Sequence, residues 1–124
     1  MKKIINIVMI LLAVGVFSAL STIKASAQAA QDFTLVNKTG VEIYALYVTP
    51  HNANAWGEDI LGADTLLNGE TLDISFSRKE RAKLWDLRVE DDDGNFIEWE
   101  NLNLLEISKV TLFYKNGKAT AIVE

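Results

Sequence analysis

The chain has no cysteine, one histidine and one proline among 124 residues. Without a thiol there is no disulfide, no cysteine nucleophile, no cysteine metal site and no residue for a lipoprotein acyl chain. With His51 alone, chemistry that needs two imidazoles is absent. There is no Gly-x-Ser-x-Gly elbow around a nucleophilic serine. No glycine-rich phosphate loop or dinucleotide fingerprint occurs either. No apolar repeat of 3.6 residues runs long enough for a major helix. These absences point away from an enzyme. Of carboxylate pairs that could act as general acid and base, only Asp59 and Asp91 suggest themselves.

What is present first is a leader. Lys2 and Lys3 precede an uncharged run from Ile4 to Leu20, and Ala25-Ser26-Ala27 follows. That order is a secretory signal peptide over residues 1–27, with cleavage expected after Ala27 and Ala29 as the alternative. The apolar run is also at the lower limit for a membrane span, so an uncleaved anchor is the competing reading. The expected location is periplasmic or extracellular. Residues 28–31 read as a short disordered N-terminus and residues 32–124 as one folded domain.

Three of the 12 Lys and Arg residues and none of the 17 Asp and Glu residues lie in the leader, which leaves a mature charge near −8. Such a domain repels nucleic acid and anionic lipid. The expectation is therefore no nucleic acid, and no membrane after signal cleavage. Three Trp, five Phe and three Tyr, of which only Phe17 lies in the leader, supply the core in place of disulfides.

The period of the mature chain is two. Short strands are expected at 33–36 and at 41–48, the latter apolar on both faces and so a central strand. Residues 49–63 form a long loop with at most a helical turn over 58–61. Thr71 to Ser77 alternates cleanly, with Leu72, Ile74 and Phe76 inward, and Asn68-Gly69 marks a turn linking it to a short strand at 65–67. Leu84 to Glu90 points Trp85, Leu87 and Val89 inward. Asp93-Gly94 signals a two-residue hairpin returning through Phe96 to Leu102, with Ile97 and Trp99 inward. Asn116-Gly117 joins strands 109–115 and 119–123. About seven short strands at such spacing predict an all-β fold, a single small antiparallel β-sandwich.

Two places outside the core invite a ligand. In the long loop, Trp56 beside Gly57 suits either a stacking platform or a cap on the open end of the sandwich. His51, Asn54 and Asp59 are its candidate polar partners. The run Asp91, Asp92, Asp93 offers oxygen ligands to calcium, although the EF-hand spacing fails there and a solvated turn uses the same residues. No other cofactor is implied. The final strand, with only Glu124 to blunt it, is a candidate edge for self-association.

The series Asn37-x-Thr39-Gly40, Leu46-Tyr47-Val48-Thr49-Pro50, Trp56-Gly57-x-Asp59, Asp86-Leu87-Arg88-Val89 and Asp93-Gly94 resembles a group of small exported bacterial β-domain proteins. The resemblance implies a secreted β-domain and transfers no catalytic residue. Such relatives often carry a cysteine pair in the later strands, which this chain lacks. The functional expectation is a non-enzymatic binding module for a protein or carbohydrate, monomeric or weakly self-associating. A structural subunit joined by strand addition and a calcium-dependent binding domain are the alternatives.

Overall fold

The computed structural model describes residues 29–124. The leader at 1–27, and its cleavage point after Ala27, lie outside the described residues. Seven strands and no helix make up the described chain: β1 Phe33–Lys38, β2 Ala45–Pro50, β3 Thr71–Ile74, β4 Leu84–Glu90, β5 Phe96–Asn103, β6 Lys109–Lys115 and β7 Lys118–Val123. They form two sheets, ordered β3-β1-β6-β7 and β2-β4-β5. The fold is a small all-β sandwich. All pairings are antiparallel except β1 with β6, which run parallel.

Alternation places the core between the sheets. Leu35, Leu46, Leu87, Val110 and Leu112 are buried from four different strands. Trp85 and Trp99 are buried as expected, and each indole finds a carbonyl. Trp85 Nε1 donates to Ala82 and Trp99 Nε1 donates to Thr120, both at 3.0 Å. The second bond ties β5 to β7 across the two sheets. Phe76 packs edge-on against Trp85 at 4.8 Å between ring centroids.

One interruption in the period is corrected by a bulge. Leu87 pairs with Trp99 but Trp85 pairs with Leu102, so β5 carries one extra residue. Asn101 takes it up at φ 59°, a left-handed conformation that asparagine tolerates. The bulge shifts the inward set from odd to even numbers, and Leu102 and Leu104 turn into the core.

Several expectations need correction. β2 is an edge strand of its sheet, not a central one. Its second apolar face meets a loop instead of a layer. Val41 and Tyr44 are exposed, and Ile43 makes only an isolated bridge to Leu66. Leu66 thus pairs with Ile43 instead of folding back on β3. Strand β3 ends at Ile74 because the next free amide, Phe76 N–H, is taken by Asp32 Oδ1 at 2.7 Å. The turn after β4 is a three-residue loop, with Gly94 N–H donating to Asp91 O and Gly94 at φ 85°. A type I turn closed by a left-handed glycine is the next commonest hairpin after the two-residue kind.

The lead-in is not disordered over its described part. Ala29 and Gln31 are buried. Ala29 N–H donates to Asp32 Oδ2 at 3.0 Å. Gln31 Nε2 donates to the carbonyls of Glu80 and Ala82 at 3.2 and 3.0 Å. Polar residues without a strand period gave no signal of this, because their partners lie some fifty positions away.

Candidate functional site

Loop 51–63 folds over the edge and outer face of β2. Its first anchor is Thr49, whose Oγ1 donates to Trp56 O at 2.6 Å. Its second is Asp59. One carboxylate oxygen, Oδ1, accepts the N–H of Leu46 at 2.8 Å and of Leu61 at 3.0 Å. Ile60 N–H donates to Leu46 O at 2.8 Å. Asp59 and Ile60 together occupy the N–H and C=O that Leu46 would offer to another strand. This is a covered sheet edge. Successive turns, Gly62 N–H to Asp59 O and Asp64 N–H to Leu61 O, follow where a helical turn was expected.

Between the anchors lies a pocket of about 150 Å³ lined by Thr49, Pro50, Ala53, Asn54, Ala55, Trp56 and Asp86. Asn54 and Trp56, both read from the sequence as candidates, line it. His51 stands beside it: Nδ1 lies 2.8 Å from Asp86 Oδ1 and 3.1 Å from Oδ2. Nδ1 facing a carboxylate carries the proton. Asn101 N–H, presented by the bulge in β5, donates to the same Asp86 Oδ1 at 3.0 Å. Asp59 does not line the pocket. Asp86 has no special standing in the sequence, since it is one of two outward acids on β4. Its place follows from pairing, because Thr49 stands opposite Asp86 across β2 and β4.

The pocket opens beside an aromatic and cationic row. Tyr47 pairs with Arg88, and Arg88 with Glu98, across the outer face of the three-stranded sheet. The Arg88 guanidinium lies 3.7 Å above the Phe96 ring and 6.0 Å from the Trp56 ring centroid. Tyr47 and Trp56 are 6.4 Å apart between centroids. Arg88 Nε donates to Glu90 Oε2 at 3.0 Å and Nη1 to Glu98 Oε2 at 2.7 Å. Desolvation opposes its charge, but these two carboxylates outweigh it and hold the guanidinium above its ordinary pKa. Trp56 is thereby half-buried and fixed, with its loop neighbours on either side exposed. Such planar cation and aromatic contacts fix orientation as well as adding attraction.

The acidic turn is built differently. Carboxylate oxygens of Asp91, Asp92 and Asp93 lie within 4.8 Å of one another. Asp91 is already engaged. Its Oδ1 accepts the N–H of Asp93 and of Asn95, each at 2.9 Å, and its Oδ2 accepts Asn95 Nδ2 at 3.1 Å. The Asn95 side chain, foremost, holds the Asp91 carboxyl below its ordinary value. Neither Glu58 nor Asp59 joins the cluster among the described residues. Of the pair that suggested acid–base chemistry, Asp59 thus holds the backbone of β2 and of its own loop, and Asp91 holds that of its own turn.

A second polar assembly is sealed. Asn37 and Thr39 are buried. Asn37 Nδ2 donates to Val41 O at 2.9 Å and to Leu66 O at 3.0 Å. Its Oδ1 accepts Thr39 N–H at 3.0 Å and Thr39 Oγ1 at 2.7 Å. This accounts physically for Asn37-x-Thr39-Gly40: the three residues turn the chain from one sheet to the other without leaving a polar atom bare. Gly40 contributes a left-handed φ of 92°.

A scan against protein-family models, a search of curated proteins and a search of solved structures each find no match to the chain.

Proposed function

We propose that the mature domain is an exported, non-enzymatic binding module whose ligand is a carbohydrate ring seated against Trp56. The observation that supports this reading is the fixed, half-exposed indole standing over a pocket with the Asp86 carboxylate and the Asn54 carboxamide. A sugar ring offers an apolar C–H face and a rim of hydroxyl donors. An indole matches the first, and a carboxylate and an amide match the second. At about 150 Å³ the pocket is smaller than the ~300 Å³ at which drug-sized sites begin. It suits one ring. The leader read over residues 1–27 and the likeness to small exported β-domain proteins point the same way, to an extracytoplasmic setting where polysaccharides are abundant.

A thermal-shift screen of the exported protein against oligosaccharides, short peptides and calcium tests the reading. Binding to the native state raises the melting temperature by mass action. A glycan that stabilises the native chain and not Trp56→Ala supports the assignment. Stabilisation by peptides alone moves the ligand class to protein, and no shift with any glycan sinks the carbohydrate reading.

A second reading has its own observation. β7 is the outer strand of its sheet, and Ile122 and Val123 are 53% and 46% exposed. Its register with β6 turns the backbone polar groups of Ala119, Ala121 and Val123 away from β6. A second copy could add a strand there. Light scattering over a hundredfold range of concentration decides it: a constant monomer mass ends the idea.

A further inference from the structure

The sandwich has four sheet edges, and three of them are closed to another strand. Asp59 and Ile60 cover the Leu46 amide and carbonyl on β2. β3 is only four residues long. β5 is interrupted by the bulge at Asn101. Short edge strands, bulges and covering loops are the ordinary means of blocking edge pairing. β7 uses none of them. It runs for six residues without proline, glycine or register shift, and its one charge, Lys118, stands at its start. Among the described residues nothing bonds to the outward N–H and C=O groups of Ala119, Ala121 and Val123.

We infer that β7 pairs antiparallel with β7 of a second copy about Ala121, giving a closed dimer in which the two larger sheets become one. This assembly rests on β7 as an edge for strand addition and fixes the partner and the register there. With Ala121 opposite Ala121, Ala119 meets Val123 of the second copy. All three residues with outward polar groups then sit in hydrogen-bonded pairs, each exchanging both N–H···O=C bonds. Shifting one strand by two residues leaves one of the three without a strand partner. Shifting it by one sets outward groups against groups already bonded to β6.

The side chains agree with that register. Ala119 and Ala121 pack on the core, so Lys118, Thr120, Ile122 and Glu124 share the outer face. There Lys118 comes opposite Glu124 of the second copy, and Thr120 opposite its Ile122. The two-fold axis makes each contact twice. These are non-hydrogen-bonded pairs, in which side chains stand closest, and opposite charges facing each other are favourable. Neither Lys118 nor Glu124 has an ion pair of its own among the described residues.

The surrounding charges leave this match standing. On β6, Lys115 lies beside Lys118 and Lys109 beside Glu124. Across the joint Lys115 attracts the Glu124 carboxylate while Lys109 repels Lys118, both over two strand spacings or about 10 Å, so the two effects offset. Glu106, in the turn before β6, has the sign of Glu124. Glu98 and Glu100 alternate with the inward Trp99 on β5 and point away from β7, in the other layer. An isologous contact uses the same edge of both copies and so stops at two.

Sedimentation of the exported protein over a wide range of concentration tests the assembly. The native chain should pass from monomer to dimer and no further. Lys118→Glu sets acid against acid in both contacts, and Glu124→Lys sets lysine against lysine. Each variant alone should dimerise about tenfold or more weakly, because both contacts change sign together. Mixed in equal amounts, the two variants should recover association of native strength, since in the mixed pair every acid again faces a lysine. A native chain that stays monomeric overturns strand addition and this dimer together. A dimer that neither variant weakens, or that mixing does not restore, overturns the register while strand addition stands. Growth beyond two copies overturns the closed arrangement.

Discussion

The Asn37 knot and the Trp56 pocket are both polar assemblies at the end of a strand, yet they are finished in opposite ways. Every polar atom of the Asn37 side chain is bonded to this chain, and the residue is fully buried. At the pocket, Asp86 also accepts bonds from the protein, but it lies at an opening with the exposed Asn54 and the half-exposed Trp56 beside it. Side chains whose hydrogen-bonding capacity is used up by the backbone hold the fold. Those with capacity left at an opening can meet something else. Asp59, whose Oδ1 takes two backbone amides, stands with Asn37 on the side of the fold, and Asp86, which meets the exposed His51 and lines the opening, stands with Trp56.

The sharpest way to break this contrast is Asn37→Ala. It leaves the buried Thr39 N–H without its acceptor and removes one of two donors from each of the Val41 and Leu66 carbonyls, and should cost about 2–3 kcal/mol, lowering the melting temperature by about 8 °C or more. A drop of only a few degrees, measured by calorimetry, would show that water replaces the side chain and that the knot is not sealed. Asp59→Ala should cost about 1–2 kcal/mol in denaturant unfolding and increase self-association, because it uncovers Leu46 on the β2 edge. Asp59→Asn keeps the accepting oxygen and should show neither effect. Trp56→Ala should cost about 1 kcal/mol or less while ligand binding is lost, as expected for a surface contact. A large fall in stability would instead place Trp56 with the core.

The smallest effect is expected at Asp91. Its carboxyl is held low, first by the Asn95 side chain and also by backbone N–H groups of the turn, with desolvation opposing. A lowered pKa means that the fold favours the charged form. Its contribution is complete above the ordinary aspartate value and is lost as pH falls through the depressed folded value. The turn should therefore loosen only in acid. Following the Asn95 side-chain amide by NMR checks this, and Asn95→Ala should move the Asp91 midpoint upward.

Much of the sandwich was legible in the sequence because alternation and turn residues are local signals. β4 spans Leu84–Glu90 as read, and Asn116-Gly117 turns the last hairpin with Asn116 at φ 52° and Gly117 at φ 75°. What was not legible depends on which strands become neighbours. β2 looked central because both alternate sets over 41–48 are largely apolar, but the cover on its second face is a loop. The bulge at Asn101 left no local mark beyond a broken period between Trp99 and Leu102. His51, Asn54 and Trp56 were found by composition and come together around the pocket. Asp86 and Arg88 were missed as site residues, and nothing short of the β2–β4 register distinguishes them from other outward charges. Asp59 was read as a ligand contact because a carboxylate in a loop looks the same whether it meets a ligand or a backbone amide.

The parallel pairing of β1 with β6 also governs when the domain can form. Thr34 lies beside Lys109, and β1 sits between β3 and β6. The middle of the larger sheet therefore waits for a segment made about 75 residues later, from position 34 to position 109. Contacts between distant segments form late because the intervening chain must first be closed into a loop. Until β6 exists, β1 has only β3 beside it, and the central strand of the larger sheet keeps an open edge.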